Sequence, residues 1–494
     1  MRLIEGAAAV RRDTTPSLRV LVDLSHAADG YVGVAQDLRL VFNTLCGLDK
    51  IEVSGLLMPA ARHDLPRIRQ GAADHAALAA GVLHWMERNW EQTPWRPFPL
   101  SLPQMAKAAW HVARTRHYML SLDDGSQLNA IWRMLFARTL PPDQRARVLA
   151  RQFYATDLSV SNIIDRCVHL PVTLPKRLAA HGFDAVVFPM PRPVRLPPGV
   201  RQVVRCHDTV PVTDVDTVPN WRIALAQSRL VKACAPDALF VCNSPQTLDH
   251  LIGLDPKREK HAVVIPCTIP PAAKAPAGLR AADVIGRHVS FRALGRGDAA
   301  PDGWARPEPG MRYVLAVSTL EPRKNFVGLV RAWERVVARR DPNLRLVIVG
   351  GPGWQEEPIL AAMRQGVASG RLYHVQNVPA EDLSCLMAGA AAFAAVSFNE
   401  GFGFTPLEAA QAGAPCLVAD LPVFRWALGD AAVYADPYDI ESIATGIERL
   451  TCMPESPDLV RRLSNRAVSV LARFRPEVAA EGWRMMLEGL RRPG

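Results

Sequence analysis

Two glutamates late in the chain, Glu400 and Glu408, bracket a loop of glycine and phenylalanine in the string SFNEGFGFTPLEAAQAGAP. Gly401 and Gly403 allow the backbone to turn tightly and to expose its N–H groups. Free N–H groups at a helix N-terminus bind phosphate or diphosphate. Thr405 has the side chain of an N-cap and Glu408 follows it by three residues, which is also the spacing of a capping box. The stretch therefore predicts either an anion site between two carboxylates or an ordinary capped helix start.

A second string, STLEPRKN at residues 318–325, places two cations, Arg323 and Lys324, at a predicted junction between a strand and a helix. Cations in the first turn of a helix are unfavourable because they face the positive end of the helix dipole. A diphosphate held between these cations and the Glu400 loop would explain their position. Two solvated basic side chains are the alternative.

Short apolar runs that alternate with helical segments must position these residues. The runs LRVLVDL, IEVSGLLM, DAVVFPM, QVVRCHD, ALFVCNS and HAVVIP predict the buried strands of one doubly wound α/β domain over residues 1–270. A second set, which begins at MRYVLAVSTL, predicts another Rossmann-like domain over residues 311–475. Ligands of such sheets bind beyond the carboxyl ends of the strands, so we expect the site in a cleft between the two domains.

Two regions depart from this alternation of apolar runs and helical segments. Residues 60–165 lack strand signals and contain five tryptophans among segments of helical spacing, so they predict a helical insertion in the first domain. Interfacial helices pair aromatic rings with basic side chains, so contact with a membrane and the packed core of a helical subdomain stay open as alternatives. Residues 271–310 are rich in Pro, Gly and Ala and predict an interdomain linker.

The overall composition limits the classes of function. The chain of 494 residues has a formal net charge of +10, which favours anionic partners. Its arginines are dispersed, and no zinc-finger, RRM or basic-helix pattern indicates nucleic-acid binding. No run of about 18 apolar residues predicts a transmembrane helix, and the N-terminus lacks the apolar core of a secretory signal. The nine scattered cysteines include no CxxC pair, which favours free thiols in a reducing cytoplasm over a zinc site.

Together these strings carry a family resemblance. EGFGFTPLEAAQAGAP resembles the E-x7-E signature of retaining GT-B glycosyltransferases of the family 4 type, and VSTLEPRKN resembles the GTLEPRKN string of the same family. HDTVP, which begins at His207, resembles the HDLIP string of that family. The matched stretches follow the order of the family between residue 17 and about residue 475, and they leave 60–165 and the linker uncovered.

The resemblance implies a role for each motif residue of the second domain, which would be the nucleotide-sugar-binding domain. Glu408 would hold the ribose hydroxyls of a nucleotide. Arg323 and Lys324 would hold its diphosphate and stabilise the leaving group, and Glu400 would lie against the hydroxyls of the donor sugar. The loop between the carboxylates would cradle the donor, and its implied binding residues are Gly401, Phe402, Gly403, Phe404 and Thr405.

The resemblance also implies roles for the first domain, on the acceptor side. His207 would lie near the anomeric carbon of the donor sugar, and Gly33 would approach the donor phosphate. A lone histidine is more often structural, but the HD-x-x-P string favours a hydrogen bond to the donor sugar or an effect on the acceptor hydroxyl. Residues 476–494 resemble the terminal helix with which the family crosses back to its first domain. The chain departs from the family at Ser318, where glycine is usual, and where VIPCTI replaces a common PNG loop.

The sequence thus predicts a retaining GT-B glycosyltransferase. It would move a hexose from a nucleotide sugar, by resemblance GDP-mannose, to a glycan or lipid-linked acceptor of a bacterial surface polysaccharide. We expect it in the cytoplasm, at the inner face of the cell membrane if the acceptor is lipid-linked. No cofactor or metal is expected, since Arg323 and Lys324 could stabilise the leaving charge and residues 123–124 lie in a predicted turn. The alternatives are a non-catalytic GT-B-like scaffold subunit that binds sugar nucleotide and a nucleotide-sugar 2-epimerase.

Overall fold

The computed structural model describes residues 17–28, 33–59, 116–156, 158, 175–209, 212, 221–270, 273, 275–297 and 299–490. Within these residues the chain forms two α/β units, each with a mainly parallel sheet. We refer to the unit that begins at Leu18 as the first domain, and to the unit that contains the Glu400 loop as the second domain.

The first domain contributes two sheets to the described part of the chain. Its strands are β1 (Leu18–Asp23), β2 (Ile51–Leu57), β3 (Arg116–His117), β4 (Met119–Leu122), β5 (Gln152–Thr156), β6 (Lys176–Leu178), β7 (Ala185–Phe188), β8 (Val194–Arg195), β9 (Arg201–Cys206), β10 (Leu239–Cys242) and β11 (Ala262–Val264). The main sheet has the order β11-β10-β9-β7-β1-β2-β5-β4. Its pairings are parallel except for β4, which runs antiparallel to β5. Strands β3, β6 and β8 form a small parallel sheet.

Helices pack against this sheet, and their cover explains why its strands are rich in apolar residues. They are α1 (Gly33–Cys46), α2 (Gly125–Ile131), α3 (Arg145–Leu149), α4 (Trp221–Ala233) and α5 (Pro245–Leu254). Val20, Leu21 and Val22 of β1 are fully buried, on both faces of the sheet. A parallel sheet that is covered on both faces requires such continuous apolar runs, which explains why β1 is recognisable from its sequence.

The second domain has one parallel sheet in the described residues. Its strands are β12 (Tyr313–Val317), β13 (Arg345–Val349), β14 (Leu372–Val375), β15 (Ala392–Ala395), β16 (Cys416–Ala419) and β17 (Ala432–Ala435). Its helices are α6 (Ala281–His288), α7 (Phe326–Arg339), α8 (Glu357–Ala368), α9 (Ala380–Ala388), α10 (Phe404–Gln411), α11 (Pro422–Leu428), α12 (Ile440–Thr451) and α13 (Ser456–Leu471). The strand order is β14-β13-β12-β15-β16-β17. The predicted fold class, α/β with two doubly wound sheets, is confirmed.

The predicted helical insertion over 60–165 needs correction where the structure describes it. Strands β4 and β5 lie inside that range and extend the main sheet at its edge. Leu120 and Leu122 of β4 are buried while Ser121 between them is exposed, so this short strand has a period of two that a search for helical spacing misses. Residues 60–115 lie outside the described residues, and with them four of the five tryptophans: Trp85, Trp90, Trp95 and Trp110.

The predicted linker over 271–310 also needs correction. Helix α6 lies within it, and Val284 and Ile285 of that helix are fully buried in the core of the second domain. Phe291 is buried too and packs edge-on against Trp304, with 4.9 Å between the ring centroids. The high content of proline and glycine made this small cluster of buried apolar residues hard to recognise in the sequence. Because the cluster belongs to the core of the second domain, the stretch from Ala281 onwards is part of that domain.

The last helix returns the chain to the first domain. Helix α14 (Pro476–Gly489) buries Trp483 and Leu487 in the core that also contains Val41 and Leu45 of α1. Burial of one large aromatic and one aliphatic side chain contributes several kcal/mol, on the order of 2 kcal/mol each, so this contact stabilises the relative position of the two domains. No helix in the described ranges combines the length and apolar character needed to cross a membrane.

Candidate functional site

The two motif loops of the second domain are neighbours because their strands are neighbours. Strand β12 pairs with β15, with Val314 opposite Ala392. After β12 the chain forms a short 3-10 helix, Pro322–Lys324, and after β15 it enters the Glu400 loop. The N–H of Phe398 donates to the carbonyl of Arg323 at 2.9 Å and joins the two loops. Parallel pairing thus brings two separate strings to one point at the carboxyl edge of the sheet.

The Glu400 carboxylate is held by both cations of the other loop. Lys324 Nζ donates to Oε1 at 2.7 Å and Arg323 Nη1 donates to Oε2 at 2.9 Å. Ser397 Oγ adds a hydrogen bond to Oε1 at 2.8 Å. Burial opposes ionisation of this carboxyl, but Lys324 and Arg323 outweigh it and lower the pKa of Glu400 to about 2. Glu400 is therefore an anion at neutral pH, and Arg323 lies 3.6 Å from a second carboxylate, that of Glu321.

Arg323 is fixed at several points. Besides Glu400 it donates to the carbonyl of Asn399 at 2.8 Å. Burial disfavours its charged form, whereas Glu400 and then Asp208 of the first domain favour it, so that the pKa of Arg323 is raised. A carboxylate on each side of the cleft thus acts on this guanidinium.

The cations do not have the helix position that their sequence predicts. Helix α7 begins at Phe326, after both Arg323 and Lys324. Asn325 is its N-cap, with a backbone φ of 55°, and the side chain of Asn325 accepts from the N–H of Gly328. The prediction that the cations lie in the first turn of this helix is wrong, because the left-handed Asn325 separates them from it. The unfavourable dipole contact is thereby avoided.

The predicted capping box at Thr405 and Glu408 is also wrong. Helix α10 begins at Phe404, and its N-cap is Gly403 with a φ of 98° and no capping side chain. A Cβ atom at Gly403 would lie 2.6 Å from the ring of Phe424, so the turn into the helix requires glycine. Glu408 therefore does not cap the helix. The alternative that this stretch is an ordinary capped helix start is not supported.

Glu408 reaches across to the first domain instead. Its Oε1 accepts a hydrogen bond from Gln36 Nε2 of α1 at 2.7 Å. Burial raises the pKa of Glu408, and the hydrogen bond from Gln36 opposes this only in part. The two glutamates of one motif therefore differ: Glu400 is surrounded by cations, and Glu408 lies in a desolvated position with a neutral amide donor.

His207 lies at the carboxyl end of β9 in the first domain. Its Nε2 is 2.8 Å from Asp37 Oδ2 and its Nδ1 is 3.2 Å from the carbonyl oxygen of Pro189. Each ring nitrogen therefore faces an acceptor oxygen of the first domain. The predicted hydrogen bond from His207 to a donor sugar would need one of these two contacts to be exchanged.

Sequence reasoning missed the buried ion pair behind this histidine. Arg205 Nε donates to Asp37 Oδ2 at 2.7 Å, and both side chains are 1% exposed. Burial opposes ionisation of Asp37, but Arg205 and then His207 outweigh it, and they lower the pKa of Asp37 well below its usual range. Asp37 lies in an amphipathic helix and Arg205 in a strand, so no local pattern indicated the pair.

The two domains touch at the candidate site. A Cβ atom on Gly401 would lie 2.4 Å from the carbonyl oxygen of His207, so this glycine permits a close approach of two backbones. Ser244 Oγ, at the N-cap of α5, donates to the carbonyl of Gly401 at 2.9 Å. Gly33 lies under the ring of Phe404, where a Cβ atom would be 3.0 Å from the ring. The predicted site residues of both domains are thus brought together, with Gly33 beside the Phe404 turn.

The arrangement suits an anionic ligand that carries hydroxyl groups. Arg323 and Lys324 offer charged donors, which bind phosphate oxygens strongly. Glu400 and Glu408 accept from hydroxyl groups, and both lie in a partly desolvated cleft where hydrogen bonds are stronger. In the described ranges no group of three or more His, Cys, Asp or Glu side chains is placed to hold a metal ion.

A protein-family model matches most of the second domain. Residues 305–468 match the model described as glycosyl transferases group 1. The match begins inside the stretch predicted as a linker and includes every predicted site residue of the second domain. The first domain lies outside it.

Curated relatives are similar over part of the chain. O-antigen chain mannosyltransferase B of Escherichia coli is 34% identical over 135 residues, which are 27% of this chain and 35% of that protein. D-inositol 3-phosphate glycosyltransferase of Nocardia farcinica is 33% identical over 180 residues, 35% of this chain and 40% of that protein. The matched stretches thus span less than half of either relative.

Solved structures resemble the whole chain. Sucrose-phosphate synthase from Thermosynechococcus elongatus superposes with a TM-score of 0.54 at 14% identity, over 96% of this chain and 99% of that chain. Anabaena HepE, solved in complex with UDP, gives a TM-score of 0.52 at 14% identity, over 96% of this chain and 100% of that chain. At this identity the likeness shows the fold alone. The fold is GT-B, and the sequence similarity of its second domain is to glycosyltransferases.

Proposed function

We propose that this protein is a retaining GT-B glycosyltransferase of the family 4 type. It moves a hexose from a nucleotide sugar, GDP-mannose, to a growing glycan of a bacterial surface polysaccharide. The Glu400 carboxylate, held at 2.7 Å by Lys324 and at 2.9 Å by Arg323, is the observation that supports this most directly. The 34% identity with an O-antigen mannosyltransferase over 135 residues supports the choice of mannose and of a glycan acceptor.

The donor lies along the carboxyl edge of the second sheet in this proposal. Its diphosphate is bound by Arg323 and Lys324 together with N–H groups of the Glu400 loop. Its ribose hydroxyls donate to Glu408, which is free of any capping role. Its sugar hydroxyls donate to Glu400, whose lowered pKa keeps it an acceptor at neutral pH.

The transfer exchanges one C–O bond for another. The bond between the anomeric carbon and the diphosphate oxygen breaks, and the acceptor oxygen bonds to that carbon on the same face of the ring. The proton of the acceptor hydroxyl passes to the leaving diphosphate. Negative charge grows on that diphosphate in the transition state, where fixed cations stabilise it more than in the ground state. The two domains, in contact at Gly401 and His207, exclude water that would otherwise hydrolyse the donor.

A lipid-linked acceptor at the inner face of the cell membrane is part of this proposal. The net charge of +10 supports it, because anionic lipid surfaces attract basic proteins. The proposal includes no resident metal, cofactor or nucleic-acid partner, since Arg323 and Lys324 supply the positive charge that a metal supplies elsewhere.

Ligand-induced stabilisation tests the binding half of the proposal. Thermal unfolding is followed with UDP, GDP, ADP and their sugar conjugates, because a ligand of the folded state raises the melting temperature. We expect one diphosphate, GDP, to stabilise the protein, and its sugar conjugate to do so as well. No stabilisation by any of these nucleotides would contradict the proposal. Stabilisation without transfer to any glycan would favour the scaffold alternative, and conversion of the free nucleotide sugar would favour the epimerase.

A further inference from the structure

The N-terminal part of α1 contacts both halves of the candidate site through consecutive residues. Gln36 Nε2 donates to Glu408 of the second domain at 2.7 Å, and Asp37 accepts from His207 and Arg205 of the first domain. The contact of Gln36 spans the cleft, and the contacts of Asp37 anchor the same helix within the first domain. Gln36 is not one of the site residues that the sequence motifs predicted.

Gln36 is held in place by its neighbour. Asp37 is fully buried and is bound by Arg205 Nε at 2.7 Å and by Arg205 Nη2 at 3.2 Å. The same arginine donates to the carbonyl of Ile265 at 2.6 Å. Because a buried, doubly bonded ion pair anchors residue 37, the backbone of residue 36 is anchored as well, and from there the Gln36 side chain reaches Glu408.

Glu408 depends on a donor from across the cleft. The cations of its own domain, Arg323 and Lys324, are engaged with Glu400. Burying a carboxylate costs free energy unless donors satisfy it. Among the described residues, the side chain that donates a hydrogen bond to Glu408 is Gln36, and it donates to Oε1. A ribose hydroxyl would then donate to Oε2.

We propose that Gln36 is a positioning residue for nucleotide binding, one that orients the Glu408 carboxylate toward the ribose from the opposite domain. The proposal rests on the proposed function, because it needs a ribonucleotide at Glu408. The hydrogen bond can form only when the two domains are in contact, so Gln36 links the closed cleft to a correctly oriented ribose acceptor. Nucleotide binding and domain closure then favour each other, as coupled equilibria must.

The test compares ribonucleotides with their dideoxy forms. Affinities for UDP, GDP and ADP are measured by calorimetry on the full chain, and the nucleotide that binds is compared with its 2′,3′-dideoxy form. We expect Gln36→Leu, which removes the donor at similar volume, to weaken ribonucleotide binding roughly tenfold, the order of one charged hydrogen bond. Binding of the dideoxy form should change little, so the preference for ribose should collapse. A merely structural role would weaken both forms equally.

Two further variants make the result specific. Gln144→Leu changes a partly exposed glutamine whose side chain contacts its neighbour Asp143, and it should leave both affinities unchanged. In a Glu408→Ala background, Gln36→Leu should have little additional effect, because the acceptor of the Gln36 hydrogen bond is already absent. Unfolding curves of each variant establish that the protein is folded.

The outcomes separate the two proposals. If the wild type binds a ribonucleotide and Gln36→Leu retains the full preference for ribose, Gln36 does not position Glu408, and the proposed function is unaffected. Tighter ribonucleotide binding by Gln36→Leu would show that Gln36 competes with the ribose, and would overturn the inference in the same way. If the wild type binds none of the three nucleotides, the proposed function fails and the inference fails with it.

Discussion

Replacement of Glu400 by glutamine should destabilise the protein without nucleotide and yet tighten nucleotide binding. The change removes one negative charge from a pocket in which Lys324 and Arg323 are only 15% and 19% exposed. Both cations would remain partly buried, Lys324 without the carboxylate of Glu400 and Arg323 with the more distant Glu321 at 3.6 Å. A nucleoside diphosphate would restore negative charge at this point, so its binding should recover what the substitution loses.

The pKa of Glu400 sets the magnitude. A value of about 2 instead of 4.5 corresponds to about 3 kcal/mol in favour of the ionised form in the folded state. Because the folded-state pKa is lowered, this contribution is fully present above about pH 5 and is lost as the pH falls through 4.5 toward 2. We therefore expect Glu400→Gln to lower the free energy of unfolding by up to about 3 kcal/mol at pH 7 and by much less at pH 3.

Denaturant unfolding with and without the diphosphate measures this directly, and calorimetry gives the affinity. Glu441 provides a matched control, since it also pairs with two arginines, Arg335 and Arg339, but is 47% exposed. Exposed pairs contribute only about 0–1 kcal/mol, so Glu441→Gln should change stability little at either pH. Turnover of Glu400→Gln should fall more than its nucleotide affinity changes. Wild-type stability of Glu400→Gln at pH 7 together with weaker diphosphate binding would refute this reasoning.

The remaining predictions concern the other site residues and the membrane. The double change of Arg323→Ala and Lys324→Ala should abolish transfer in a folded protein, since each contact to the leaving charge contributes roughly 3–4 kcal/mol; near-normal turnover would remove the diphosphate assignment. Glu408→Gln should raise KM for the donor with little change in kcat, because ribose contacts are equal in ground and transition states; the reverse pattern in steady-state kinetics would exchange the roles of the glutamates. Gly401→Ala should reduce kcat at least tenfold, the order set by a misplaced site, because its methyl group would lie 2.4 Å from the His207 carbonyl oxygen; unchanged kinetics would show that the domains need not approach so closely. Anionic vesicles should co-sediment the protein at low salt and release it at high salt, and equal binding to neutral vesicles would contradict an electrostatic membrane contact.

The fold was predictable because its strands are continuous apolar runs. Leu18–Asp23 and Ile51–Leu57 are recognisable from sequence since burial on both sheet faces favours apolar residues at most of their positions. Short edge strands such as Met119–Leu122 were missed, because four residues give too little periodicity. The order of the strands was not predictable either, although it is what brings the loop of Arg323 beside that of Glu400.

The site was predictable where a motif is local and not where it joins distant segments. Glu400, Arg323 and Lys324 lie in two strings whose residues are close in sequence. Gln36 contacts Glu408 across 372 positions, and Arg205 contacts Asp37 across 168, so neither contact leaves a trace in the local pattern. The helix starts failed for a different reason: in both, a left-handed residue, Gly403 or Asn325, turns the chain where a hydroxyl cap or a charged first turn was expected.

Product analysis by NMR shows whether the protein transfers a sugar and with which anomeric configuration. The wild-type protein is incubated with GDP-mannose and mannose-terminated oligosaccharides, and the anomeric proton of any new linkage is observed together with the released nucleotide. We expect one GDP released for each new glycosidic bond, with the anomeric configuration of the donor retained, and no product from the Arg323→Ala, Lys324→Ala variant. An inverted linkage would contradict the retaining mechanism. Epimerised free sugar, or no transfer from any nucleotide sugar that the protein binds, would contradict the glycosyltransferase function itself.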